Sequence, residues 1–308
     1  MGKFIITLTD QYIFIQIVLY QTKFISGVSF MECIIKGLSI NYEAVGSGKP
    51  VLLLHGYGVD HRLMVGCMEP IFKQRSGYKR IYMDLPGMGR SEGAEWIRNS
   101  DIMLDIISEL IDRVIPNEKF ILAGESYGGL LARGLVYRMA ERIDGLFLLC
   151  PEIVTNNEDR DVPEHTVLCR DETLLQELDP TEAEWFSAIN VVLERNVWER
   201  YRNEILPGLA SGDRVFLDNV LNKDYVFSFD CDSLKEKFNK PALFLMGRQD
   251  SCAGYRNAWN ILDNYPRATF AILDRAGHNL QIEQAYLMNA LVNEWLDRID
   301  EFSGQNSS

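Results

Sequence analysis

The feature that most constrains this chain is a rhythm of short apolar runs. "VLLLH" (51–55), "RIYMD" (80–84), "FILAG" (120–124), "LFLLC" (146–150), "ALFLMG" (242–247) and "TFAILD" (269–274) are too short for helices and carry no polar alternation, so each reads as a strand buried on both faces. Helical stripes lie between them. Met103, Ile107, Leu110 and Val114 recur at spacings of four, three and four after Ser100, which reads as an N-cap, and Met288, Val292, Trp295 and Ile299 repeat the pattern near the C-terminus. Strands alternating with helices imply an α/β chain: a mostly parallel central sheet with helices on both faces. "ECIIKGLSINYEAVG" adds two short strands around Gly37.

One interval breaks the rhythm. About ninety residues separate "LFLLC" from "ALFLMG", far more than a crossover needs, and they are rich in helical pattern. The expected organisation is therefore a core of residues 31–151 and 239–303, an inserted helical lid over 152–238, an apolar extension over 1–30 and a flexible tail over 304–308. In the extension, the run from Tyr12 to Tyr20 is too short to span a bilayer, and "ISGVSF" offers no clear cleavage site. No membrane span and a cytoplasmic location are the expectation.

Charge narrows the partners. A formal net charge of −13 on 308 residues disfavours nucleic acid and anionic membrane surfaces, leaving a small, largely neutral molecule as the expected substrate. The six cysteines form no CxxC pair and have no histidine at metal spacing, so they read as reduced, mostly buried thiols, and neither a disulfide framework nor a metal site is expected. Nothing in the sequence fixes the oligomeric state.

In an open parallel sheet the residues just after each strand line the binding crevice. "HGYG" (55–58) follows the first core strand, "DLPGMGRS" (84–91) the second and "GESYGG" (124–129) the third; Asp250 follows "ALFLMG" and His278 follows "TFAILD". A serine, a carboxylate and a histidine thus occur in that order at one edge. A serine hydroxyl is a poor nucleophile without a base, and imidazole titrates nearest neutral pH. Ser126 between glycines suits a sharp strand-to-helix turn, although serine is also a favoured helix cap.

Gly124-Glu125-Ser126-Tyr127-Gly128 matches the G-x-S-x-G nucleophile elbow, and with the His-Gly turn and the order Ser, Asp, His the chain resembles the α/β-hydrolase fold family from about Phe30 to the last helix. Within it the layout resembles lidded serine hydrolases: carbon–carbon bond hydrolases, proline iminopeptidases and small esterases. The resemblance implies a nucleophile at Ser126, a general base at His278 and an orienting acid at Asp250. The oxyanion donors would be the N–H of Tyr127, at the start of the helix, and by resemblance that of Tyr57. The implied activity is cofactor-independent hydrolysis of an ester, thioester or activated C–C bond through an acyl-enzyme, beneath a lid that supplies an apolar pocket.

Alternatives stay open at this point. Glu152 and Asp274 are rival acids; His55 and Asp84 read as structural; Glu125 and Tyr127 either touch the pocket or pack. Trp185, Phe186, Trp198 and Tyr201 read as core of the insertion, with some facing the cleft. An acidic insertion (Glu182, Glu184, Glu194, Glu199, Glu204) fits either a solvated face or an amine site of an iminopeptidase. An acyltransferase and a ligand-binding receptor with little turnover are the remaining readings.

Overall fold

The apolar runs become adjacent strands. The computed structural model describes residues 28–219, 221 and 225–305, so most of the N-terminal extension, up to residue 27, and residues 306–308 of the expected tail lie outside the described residues. The described residues open with a hairpin of β1 (Val28–Ile35) and β2 (Leu38–Gly46), turned at Lys36 (φ 50°) and Gly37 (φ 83°). Two consecutive left-handed residues give the hairpin a turn whose twist matches its strands. β3 (Lys49–Leu54), β4 (Tyr78–Met83), β5 (Phe120–Glu125) and β6 (Ile143–Leu149) follow. A separate pair, β7 (Cys169–Arg170) and β8 (Val192–Leu193), precedes β9 (Ala242–Gly247) and β10 (Ala268–Leu273).

The large sheet runs β1-β2-β4-β3-β5-β6-β9-β10, antiparallel through β1, β2 and β4 and parallel from β4 onward. From β3 the chain first goes outward to β4, then crosses to β5 on the other side. That reversal opens a crevice at the carboxyl ends of β3 and β5.

Alternate residues of the central strands face opposite layers. Leu52, Leu54, Leu122 and Leu148 join one core with α2 (Ser100–Val114) and α3 (Tyr127–Met139). Val51, Leu53, Ile121 and Phe147 join the other with α1 (His61–Phe72) and α11 (Ala285–Gln305). The expected helical stripes are the buried faces: Met103, Ile107 and Leu110 on α2, and Met288, Val292, Trp295 and Ile299 on α11 are all fully buried. Each such side chain contributes ~1.5–3 kcal/mol by leaving water.

Three expectations need correction. The N-cap of α2 is Asn99, whose side chain accepts the Ile102 N–H, while the Ser100 hydroxyl pairs with the Tyr127 hydroxyl at 2.9 Å. β10 is the edge strand, paired with β9, and is half-buried rather than covered on both faces. Finally, α11 extends to Gln305, into the segment expected as tail.

Among the described residues between β6 and β9 lie β7, β8 and five short α-helices: α4 (Glu172–Glu177), α5 (Pro180–Ile189), α6 (Arg195–Glu204), α7 (Leu206–Ser211) and α8 (Arg214–Asn219). Asp171 and Asp179 cap α4 and α5, the latter with Pro180 at the first helical position. Phe186, Trp198 and Tyr201 pack ring against ring as buried core, whereas Trp185 faces solvent. The described residues end with α9 (Arg256–Trp259), α10 (Leu280–Glu283) and α11 around β10. No helix among them is long and apolar enough to cross a membrane.

Candidate active site

Ser126 stands alone between β5 and α3, with φ 52° and ψ −115°. A left-handed backbone at a non-glycine residue is strained, and such strain concentrates at functional sites. The flanking glycines serve close approach. A Cβ on Gly124 would lie 2.2 Å from the Gly128 carbonyl oxygen, and one on Gly128 would lie 2.3 Å from that of Leu54. Ser126 occupies the N-cap position of α3, but its hydroxyl makes no capping bond. It points instead to His278, whose Nε2 lies 2.9 Å from Oγ.

The other ring nitrogen, Nδ1, is 3.0 Å from Asp250 Oδ2. Asp250 is fully buried, and its Oδ1 accepts the N–H groups of Cys252 (2.9 Å) and Ala253 (3.0 Å). A carboxylate only accepts, so Nδ1 carries the proton and the Nε2 lone pair faces the serine. Burial by itself would raise the Asp250 carboxyl; His278 and the backbone donors outweigh it and hold the carboxyl below its ordinary range. Burial would likewise lower His278, but Asp250 above all raises it well beyond an ordinary imidazole.

The rival acids lie elsewhere. Asp274 is exposed and accepts from Gln249. Glu152 forms an ion pair with Arg160 at 2.9 Å and takes the Tyr225 hydroxyl. His55 is buried, its Nε2 accepting the Leu85 N–H and its Nδ1 facing the Gly56 carbonyl, as a structural role requires. Asp84 accepts the N–H groups of His61 and Arg90 and the His61 ring, pinning the turn after β4 to the start of α1. His165 is exposed.

The Tyr127 N–H lies in the first turn of α3, where backbone donors have no intrahelical acceptor. Tyr57 lines the cleft beside Ser126, its ring edge-on to Tyr127 and Tyr225 and its hydroxyl on the Leu217 carbonyl. Tyr225 in turn stacks on Tyr127, with centroids 4.7 Å apart.

The cleft over Ser126 has a volume of about 670 Å³. Its described lining is largely polar, with Glu152, Thr155, Asn156, Asn157, Glu158, Arg160, Tyr225 and Val226 from the insertion, and Tyr57 from the turn after β3. An apolar pocket was the expectation. The difference arises because the apolar aromatics of the insertion pack among themselves, and the segment just after β6 supplies the wall. Neither Arg160 nor Tyr225 has a spacing signal in the sequence that marks it for the site. Glu125 is also here, with Oε1 3.5 Å from His278 Nε2.

Among the described residues, two groups bring three ligating atoms within 4.8 Å: Cys150, Asp250 and His278, and Asp60, His61 and Asp84. Their donors are already engaged. Asp250 holds His278 and two backbone N–H groups, burial raises the Cys150 thiol far above the range where it ionises, and Asp84 holds the His61 ring.

The family described as the alpha/beta hydrolase fold matches residues 49–285. A pimeloyl-[acyl-carrier protein] methyl ester esterase of Legionella pneumophila is 24% identical over 264 residues, covering 84% of this chain and 100% of the relative. A 2-hydroxy-6-oxononadienedioate/2-hydroxy-6-oxononatrienedioate hydrolase of Paraburkholderia phymatum is 27% identical over 273 residues, covering 84% and 91%. Among solved structures, an alpha/beta superfamily hydrolase of Oenococcus oeni aligns with a TM-score of 0.79 at 30% identity over 88% of this chain and 99% of that one.

Proposed function

The chain belongs to the α/β-hydrolase fold family, and from that premise we propose that it cleaves a carboxylic ester through an acyl-enzyme on Ser126. One observation carries the reading: the unbroken chain of hydrogen bonds from Ser126 Oγ to His278 Nε2 and from His278 Nδ1 to Asp250. His278 takes the hydroxyl proton as Oγ attacks the ester carbonyl, and Asp250 stabilises the imidazolium that forms. The N–H groups of Tyr57 and Tyr127 receive the oxyanion. On collapse the alcohol leaves with the proton from Nε2. Water, deprotonated by the same nitrogen, then attacks the acyl carbonyl, releasing the acid and returning the proton to Ser126.

The insertion acts as a lid whose first residues and Tyr225 wall the cleft. Its volume suits a small or medium substrate, and its polar lining favours one that offers hydrogen-bonding groups near the reacting carbonyl. The esterase relative matched over its whole length supports an ester; the dienedioate hydrolase relative supports hydrolysis of an activated C–C bond as the second reading. An amine site on Glu182, Glu184, Glu194, Glu199 or Glu204 loses support, since none is among the residues lining the cleft and Glu204 pairs with Arg200. An acyltransferase would use the same acyl-enzyme with an alcohol or thiol in place of water. A receptor with little turnover has no need of the Ser126–His278–Asp250 relay.

The test is hydrolysis of p-nitrophenyl esters of rising chain length, beside a vinylogous C–C substrate and an aminoacyl anilide. Ester turnover that vanishes in Ser126→Ala supports the reading; turnover of the anilide alone contradicts it.

A further inference from the structure

Glu125 is a carboxyl that this hydrolytic scheme leaves unused. It ends β5, and only 2% of its surface is exposed. Oε1 lies 3.5 Å from His278 Nε2, the nitrogen that Ser126 Oγ approaches to 2.9 Å. Oε2 is buried with no hydrogen-bond partner. It lies under the turn after β3, where a Cβ on Gly56 would come within 2.3 Å of it, so the glycine leaves the space the carboxyl fills. Burying a carboxyl oxygen without a partner is costly, and an apolar side chain would fill the same space without that cost. Its place beside the reacting nitrogen accounts for it.

We propose that Glu125 is a positioning residue of the proton-transfer machinery, holding the Nε2 side of the His278 ring as Asp250 holds the Nδ1 side, so that the imidazole works between two carboxyl groups. The proposal rests on the serine-hydrolase reading. When Nε2 takes the serine proton, the new N–H has Oε1 beside it as well as the oxygen it serves. An ionised Glu125 makes His278 the stronger base; a protonated one does not. Burial pushes the Glu125 carboxyl up to about 7, with His278 and the Gly56 backbone opposing the rise and Asp250 adding to it. It therefore changes charge where a histidine works, and the two groups titrate as a pair.

The other titratable groups around the pair leave it in control. Burial raises the thiols of Cys67 on α1, Cys150 after β6 and Cys252 after β9, keeping them neutral. Glu152 is tied to Arg160, and Glu283 of α10 to the N–H groups of Gly277 and Val191. Asp250 stays ionised.

Fluorophosphonate labelling rates of the full chain, followed from about pH 5 to 9 across the histidine range, test the proposal in wild type, Glu125→Gln, Glu125→Asp and Ser126→Ala. In Glu125→Gln the acidic limb moves down by about one pH unit, with the plateau within roughly tenfold of wild type. Should that variant fail to fold, Glu125→Asp, which withdraws the carboxyl from Nε2, shifts the limb the same way by a smaller step. The wild type alone gives a second reading: a coupled pair produces an acidic limb that a single ionisation does not fit. A limb unmoved in a folded variant, or a wild-type limb that fits one ionisation, overturns the proposal. Wild type that is not labelled, or Ser126→Ala that is, overturns the serine-hydrolase reading instead.

Discussion

Ser126 and His278 stand 152 positions apart in the chain, yet Oγ of one lies 2.9 Å from Nε2 of the other. The sheet creates that proximity. β5, β6, β9 and β10 are successive neighbours, all parallel, so the loops that follow β5, β9 and β10 emerge at one edge and bring Ser126, Asp250 and His278 together.

Asp250→Asn tests the orienting role. The amide oxygen can keep the bonds from Cys252 and Ala253, which turns the amide nitrogen toward His278 Nδ1. Nδ1 must then accept, the ring proton moves to Nε2, and the base is lost. Ester turnover should fall roughly 10⁴-fold with an unchanged circular dichroism spectrum; a loss of less than about tenfold would remove Asp250 from the mechanism.

The pH profile follows from the sign of the His278 shift. Asp250 raises the imidazole well above its ordinary 6.5 against the opposing effect of burial, and the base acts only when neutral. Activity, read as kcat/KM, should therefore rise with pH and reach half its plateau above 6.5. A midpoint below that value contradicts the electrostatics described.

The glycine after Tyr127 couples the elbow to the neighbouring strand. In Gly128→Ala the new Cβ would meet the carbonyl oxygens of Leu54 and His55 at 2.3 and 2.7 Å, and backbone must move. That backbone leads to Tyr57. The variant should lose ~1–3 kcal/mol of stability and ~10²–10³ in kcat, measured by urea unfolding and ester hydrolysis.

Much of this was legible in the sequence. Continuous apolar runs announce strands of a parallel sheet because both faces are covered, and the stripe on α11 is the face that buries Trp295. That Ser126, Asp250 and His278 meet at one edge was legible because all three follow strands of the parallel sheet. Asp250 could not be separated from Glu152 without geometry, since both follow a strand at the same edge. The polar cleft was hidden for a related reason: helical spacing says that Phe186, Trp198 and Tyr201 are apolar, not whether they face the cleft or one another. Glu125 precedes Ser126 by one residue, and only the space left by Gly56 shows where its carboxyl goes.

Arg160→Ala should destabilise the wall of the cleft. Arg160 holds the carbonyls of Val154, Thr155 and Cys252 together with the buried Glu152 carboxylate. Removing it leaves that buried carboxylate with the Tyr225 hydroxyl but no cation, at a cost of ~3 kcal/mol. Adding Glu152→Gln should recover part of the loss in thermal denaturation; a double variant less stable than Arg160→Ala would contradict the pairing.

The most direct measurement is the intact mass of the protein after incubation with a fluorophosphonate, followed by peptide mapping. The wild type should gain one adduct, on Ser126, and Ser126→Ala should gain none while retaining its fold. An adduct on another residue, or one that survives the substitution, would contradict the assignment of Ser126 as the nucleophile.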